Sequence, residues 1–182
     1  MEPQWVKTKV VCVSPGLYTR FEYDDELLPH WKEFAAALKQ FAPAINMLSN
    51  EYETSFGIDY YVSMNYDTLM MIKDTLIGIP FTYLSFDTVR FDEGNPMDAY
   101  IAILETNQQL RRLDILNHSI HIDDIERFCS AVHNHDTLVE LDLHGSVEYS
   151  ATADAILRGL LTGVDLKLEA LRVWRSLESP LI

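Results

Sequence analysis

The stretch LRRLDILNHSIHIDDIERFCSAV, residues 110–132, opens on Leu-x-x-Leu-x-Ile and runs into an amphipathic pattern of helical spacing. LVELDLHG, residues 138–145, writes the same opening figure 28 residues later. Aligned on the fourth position of the figure, the chain gives Phe56, Leu84, Leu113, Leu141 and Leu171, with steps of 28, 29, 28 and 30 residues. The first positions are Glu53, Phe81, Leu110, Leu138 and Leu168, and the sixth are Ile58, Phe86, Ile115, Leu143 and Val173. Only Glu53 breaks the apolar rule. Self-similarity at a fixed period marks a repeat architecture, in which one supersecondary unit recurs. Upstream, Tyr18, Phe21 and Tyr23 offer a further unit, separated by a longer step that implies a loop insertion.

The spaces between these figures carry helical periodicity. Asn95 is placed to cap a helix with Pro96 at its first position, where the missing N–H is no loss. Ile101 and Leu104 then share a face. Ile125, Phe128, Cys129 and Val132 form the next apolar stripe, and Ile156, Leu157, Leu160 and Leu161 the one after, with Gly163 as its stop. Leu69, Ile72 and Leu76 follow Asn65 and precede Gly78. The longest predicted helix is DDELLPHWKEFAAALKQF, with Phe34, Leu38 and Phe41 on its buried side and an acidic start that suits the helix dipole.

Each unit therefore reads strand, turn, helix, turn. One unit cannot bury its own apolar side, whereas stacked units share a continuous core. Paired strands sit about 4.8 Å apart and packed helices about 10 Å, so the predicted stack curves, with parallel strands on the concave side and helices on the convex side. The expectation is a single repeat domain over residues 1–182, with 1–50 as an N-terminal cap or divergent first repeat and 51–182 as the repeats. KVVCVS, residues 9–14, reads as a strand able to cover the first edge. The last figure has no helix after it, which predicts an open edge at Leu171–Val173, a truncated repeat array.

Composition bounds the function. The chain has 182 residues, 48% of them hydrophobic, which is ample for a core. No apolar run approaches the roughly 20 residues needed to cross a bilayer, and the N-terminal stretch has no long apolar segment of the secretory kind. Cys12 and Cys129 fit no metal spacing and read as reduced thiols of a cytosolic or nuclear protein, with a cytoplasmic one as the expectation. With 28 acidic and 14 basic residues the net charge is −14, which repels nucleic acid and anionic lipid and favours a basic protein partner.

The Leu-x-x-Leu-x-Leu figure, its 28–30 residue period and a full helix per unit resemble the leucine-rich repeat family, and within it the ribonuclease-inhibitor-like type. The resemblance implies an α/β leucine-rich-repeat solenoid. That family places Asn or Cys eight residues after the first Leu, where the side chain satisfies backbone groups in the turn. Here those positions hold Tyr61, Val89, His118, Ser146 and Ser176, so irregular turns are expected after the strands.

By strand alternation, the third, fifth and seventh positions face away from the core. They place Asp59, Tyr83, Asp87, Arg112, Asp114, Glu140, Asp142, His144, Arg172 and Trp174 on one wall, the expected partner-binding surface. Asp114 and Asp142 fall on adjacent strands, as do Asp59 and Asp87. Like charges across a strand pair are destabilising, which is the reason to assign them to a basic partner. Tyr83 and Trp174 are the expected aromatic anchors. The function expected is a non-enzymatic protein-protein interaction module without cofactor or metal. A regulatory role toward small GTPases, through exposed Arg112 and Arg172, is the alternative. His118 and His121 fall in the turn after a strand, whereas His133 and His135 fall at the far end of the next helix, so they do not converge on a metal. His133 and His135 there suit a helix C-terminus as cations. No phosphate loop, nucleophile elbow or Cys–His pair is present.

Overall fold

The computed structural model describes residues 24–49, 53–58, 66–87, 95–116, 118, 120–145, 150–162 and 167–173. Along the chain lie α1 (Asp24–Ser49), β1 (Ser55–Ile58), α2 (Tyr66–Leu76), β2 (Tyr83–Asp87), α3 (Met97–Thr106), β3 (Arg112–Leu116), α4 (Ile125–His133), β4 (Glu140–Asp142), α5 (Ser150–Leu161) and β5 (Ala170–Arg172). A 3-10 turn, Ile122–Asp124, leads into α4. The five strands form one all-parallel sheet in sequence order, β1-β2-β3-β4-β5. Parallel neighbours need a crossover between them, and every crossover here contains a helix. Successive helices pack on one another, α1 on α2 through α4 on α5, so they make one layer in the same order as the strands.

Register follows the apolar figure residue by residue. Phe56 pairs Leu84, Leu84 pairs Leu113, Leu113 pairs Leu141, and Leu141 pairs Leu171. Side chains of one row point to one side of a sheet, and this row points into the core. A one-residue slip would turn the whole row outward, so burial holds the register. The strand entries repeat at the backbone level as well. The carbonyl of Thr54 accepts from the N–H groups of Thr82 and Tyr83, that of Thr82 from Arg111 and Arg112, that of Arg111 from Val139 and Glu140, and that of Val139 from Glu169 and Ala170.

The helices bury the stripes their spacing predicts, with two exceptions. Leu69, Ile72 and Leu76 of α2, Ile101 and Leu104 of α3, and Ile125, Phe128, Cys129 and Val132 of α4 are all buried. Asn95 accepts a hydrogen bond from the Met97 N–H at 3.0 Å and so starts α3, with Pro96 already in helical conformation. In α5, Ile156 and Leu160 are buried but Leu161 is exposed, because the helix packs on α4 along one narrow side. In α1 the buried line is Ala35, Leu38 and Ile45, and Phe41, expected inside, is 64% exposed. The helix continues through Pro29 and Pro43 and is anchored by an aromatic run. Trp31 meets Phe34 edge-on at 6.0 Å, Phe34 stacks on Phe56 at 6.0 Å, and Phe56 meets Phe81 at 5.8 Å. That run ties α1 to the first two strand entries and leaves Phe41 on the far side.

Side-chain hydrogen bonds that recur from unit to unit lie ahead of the strands. At the first two entries Thr54 and Thr82 exchange bonds: the Thr82 hydroxyl donates to the Thr54 carbonyl at 3.0 Å and accepts from the Thr54 N–H at 2.9 Å. At the next, the Asn107 side chain donates to the Phe81 carbonyl at 3.0 Å. At the fourth, His135 Nε2 lies 2.9 Å from the Asn107 carbonyl, while its Nδ1 accepts from the N–H groups of Thr137 and Leu138 at 3.3 and 3.1 Å. Two N–H donors on Nδ1 fix the neutral tautomer with its proton on Nε2. Burial holds His135 below the ordinary imidazole range. His135 is therefore a buried neutral spacer between units, which corrects its expected role as a cation at a helix end. Gly145, just after β4, turns the chain with φ of 71°, a conformation that favours glycine.

Candidate functional site

The candidate site is the sheet face opposite the helices. Register places Ser55, Tyr83, Arg112, Glu140 and Ala170 in one row, and Gly57, Ser85, Asp114, Asp142 and Arg172 in the next. Asp87 and Leu116 pair beyond them. Of the residues assigned to this wall from sequence, Asp59 and Trp174 lie outside the described residues. His144 and Arg172 are exposed, Tyr83, Arg112, Glu140 and Asp142 are half-buried, and Asp87 and Asp114 are buried.

The burial of Asp114 changes the electrostatics. Its carboxylate is 3% exposed although it sits on the open face. Three donors converge on it. The Tyr83 hydroxyl donates to Oδ2 at 2.7 Å, and Arg112 donates from Nε to Oδ1 at 2.9 Å and from Nη2 to Oδ2 at 2.8 Å. A planar guanidinium matches a carboxylate in this two-point fashion. The Arg112 guanidinium also lies over the Tyr83 ring, 4.6 Å from its centroid, where the ring quadrupole attracts a cation. Burial, and then the bond to Asp114, push the Tyr83 phenol up to about 12. The same bond to Asp114 raises Arg112 further above its already high range. Tyr83, Arg112 and Asp114 come from two adjacent strands and form one locked cluster.

Asp114 and Asp142 do stand side by side on β3 and β4, as the repeat predicts. They are not an uncompensated like-charge pair. Arg112 holds the first, and Arg172 Nη1 lies 3.4 Å from Asp142. Arg112 Nη1 also lies 3.7 Å from Glu140. Acid thus faces base directly across β3 and β4 at Arg112–Glu140 and across β4 and β5 at Asp142–Arg172. Asp142 additionally accepts from the His144 N–H at 3.0 Å, closing the turn after β4.

Among the described residues no three His, Cys, Asp or Glu side chains are grouped to hold a metal ion. Cys129 lies on the helix side, and burial pushes its thiol up to about 11, which keeps it protonated at neutral pH. Two open clefts lie away from the strand face. One of about 660 Å³ is bounded by α1 and the C-terminal turns of α2 and α3, and one of about 590 Å³ by α4 and α5. Among the described residues no helix is long and apolar enough to cross a membrane.

Sequence reasoning missed the buried pair formed by Tyr100 and His118. The Tyr100 hydroxyl lies 3.2 Å from His118 Nδ1, and both side chains are buried. The signal was present: His118 occupies the turn position that the resembled family fills with Asn or Cys.

The fold defines an α/β protein with an all-parallel sheet whose open face carries a hydrogen-bonded polar cluster. The chain matches no family model, and no curated protein and no solved structure is found similar to it.

Proposed function

We propose that this chain is a non-enzymatic protein-binding module built as a leucine-rich-repeat solenoid of the ribonuclease-inhibitor-like type, and that it takes a basic protein on its strand face. The observation that carries the reading is the Tyr83–Arg112–Asp114 cluster. It is a rigid aromatic and guanidinium surface set on regular strands, and aromatic and Arg side chains dominate binding energetics at protein interfaces. Rigidity before contact lowers the entropy lost on binding.

The basic character of the partner follows from the carboxylates left over. Asp114 is consumed inside the face. Glu140 and Asp142 stand 3.7 and 3.4 Å from their guanidinium neighbours, longer than the roughly 2.7–2.9 Å of a charge-assisted hydrogen bond, so both keep acceptor capacity. A net charge of −14 accelerates encounter with a cationic surface. The GTPase-activating alternative is weakened by the same geometry, because an arginine that stabilises a transferred phosphoryl group must be free to reach it, and Arg112 is held by Asp114.

The test compares proteins retained by the intact chain with those retained by a Glu140→Lys, Asp142→Lys variant, and follows association of the recovered partner at low and high salt. Loss of basic proteins from the variant, with association slowing as salt rises, supports the reading. An identical retained set, or an association rate indifferent to salt, overturns it.

A further inference from the structure

The strand face does not use the polar cluster beneath the C-terminal ends of β2 and β3. His118 follows β3 by two residues and is 4% exposed. Tyr100 of α3 meets its ring edge-on, with centroids 5.6 Å apart and the hydroxyl 3.2 Å from Nδ1. Tyr100 is in turn packed on Phe86 of β2, with ring centroids 5.0 Å apart. The Asp87 carboxylate, at the end of β2, is the charged group that acts on His118 among the described residues. Side chains of α3 and β2 therefore meet around the His118 imidazole.

We propose that the His118–Tyr100–Asp87 cluster is an acid-operated latch that holds α3 against the ends of β2 and β3 at neutral pH and releases it as the medium acidifies. The neutral imidazole belongs in this setting: it sits in an apolar wall of Tyr100 and Phe86 and meets the Tyr100 hydroxyl. A proton on it places a cation out of water, with the Asp87 carboxylate and the Phe86 backbone in partial compensation. Burial is the dominant influence and lowers His118 to about 4, while Asp87 and the Phe86 backbone pull in the opposite direction. An opened segment exposes the ring to water, where it takes its proton near the ordinary value of about 6.5. Below that value the open form binds a proton that the closed form refuses, so opening becomes easier as pH falls and levels off below about 4.

The latch is tested by amide hydrogen exchange, corrected for the intrinsic pH dependence of exchange, on the full chain and a His118→Gln variant. Between pH 7 and pH 5 the protection of α3 and β3 should fall roughly 20-fold more in the intact chain than in the variant, from the separation between an exposed and a buried imidazole. Segments of β4, α5 and β5 should change alike in both chains. Equal pH response of α3 in the two proteins, or a uniform loss across all elements, overturns the latch. If the variant does not fold, the ring resonances of His118 in the intact chain decide the matter: titration near 6.5 while the protein stays folded overturns it, and a ring still neutral at pH 5 supports it.

Discussion

Replacing Asp114 with Asn removes the acceptor on which three donors converge. The isosteric amide keeps the volume but loses the charge and turns one oxygen into a donor that faces Arg112. Hydrogen bonds to charged groups contribute about 1.5–3 kcal/mol each, and breaking a buried ion pair from one side costs about 3–5 kcal/mol. The full sum does not apply, because the Arg112 side chain is 36% exposed and regains water once released. About 2–3 kcal/mol remains, mostly from the Tyr83 hydroxyl and the stacked guanidinium losing their shared partner. Urea unfolding at 25 °C measures it as a lower midpoint at unchanged slope. A double-mutant cycle sharpens the result. Tyr83→Phe and Arg112→Met should each cost about 1–2 kcal/mol alone, and in the Asp114→Asn background each should cost visibly less, because residues of one network are not additive. The Tyr83 phenol should also move back from about 12 toward 10 in Asp114→Asn, though not all the way, since burial is its larger cause. A loss below about 0.5 kcal/mol, typical of an exposed carboxylate, would refute the locked cluster. Asp114 would then be free to meet a partner directly.

Three further outcomes are expected. A Cβ at Gly159 of α5 would stand 2.7 Å from Cys129 Sγ and 3.3 Å from its Cβ, so Gly159→Ala should lower the melting temperature; in a Cys129→Ala background, which removes the sulfur but keeps the tight Cβ contact, the same change should lower it less, as Ala exceeds Gly by about 1 kcal/mol in a helix interior. His135→Leu leaves the Asn107 carbonyl and the Thr137 and Leu138 N–H groups without their side-chain partner and should cost about 2 kcal/mol at pH 7. His135 is held low by burial, so the unfolded chain binds its proton first. Stability from this residue is present above about 6.5 and is lost as pH falls below it, and denaturation at pH 7 and pH 5.5 should show that loss in the intact chain and not in His135→Leu. Leu113→Ala, in the middle of the apolar row, should cost about 2–5 kcal/mol by calorimetry, because the sheet and helix layers on either side prevent collapse onto the cavity.

Phe56, Leu84, Leu113, Leu141 and Leu171 were recoverable from the chain as written, and so were the helix stripes between them. Apolar periodicity reports which side of an element is dry, and a constant period in a parallel sheet reports which residues become neighbours. Phe41 and Leu161 escaped that logic. Their helices satisfy a narrower contact than an apolar stripe can show, and whether an apolar residue at its margin is covered depends on the neighbouring helix.

The candidate face was legible as a set of positions and not as an electrostatic surface. Strand alternation places Tyr83, Arg112, Asp114, Glu140, Asp142 and Arg172 together, and all six share the face. It could not say that Arg112 folds back on Asp114, because rotamers answer to partners two residues along and one strand over. The same limit hid the burial of His118 and His135. The repeat frame places His118 in the turn after a strand and His135 at the far end of the next helix; the packing of α3 and of the adjacent unit decides that they lose water and stay neutral. One-dimensional pattern carries burial and register because both are periodic along the chain. Charge state and ion pairing depend on distances of a few ångströms between residues some 28 apart, and only the folded arrangement sets those.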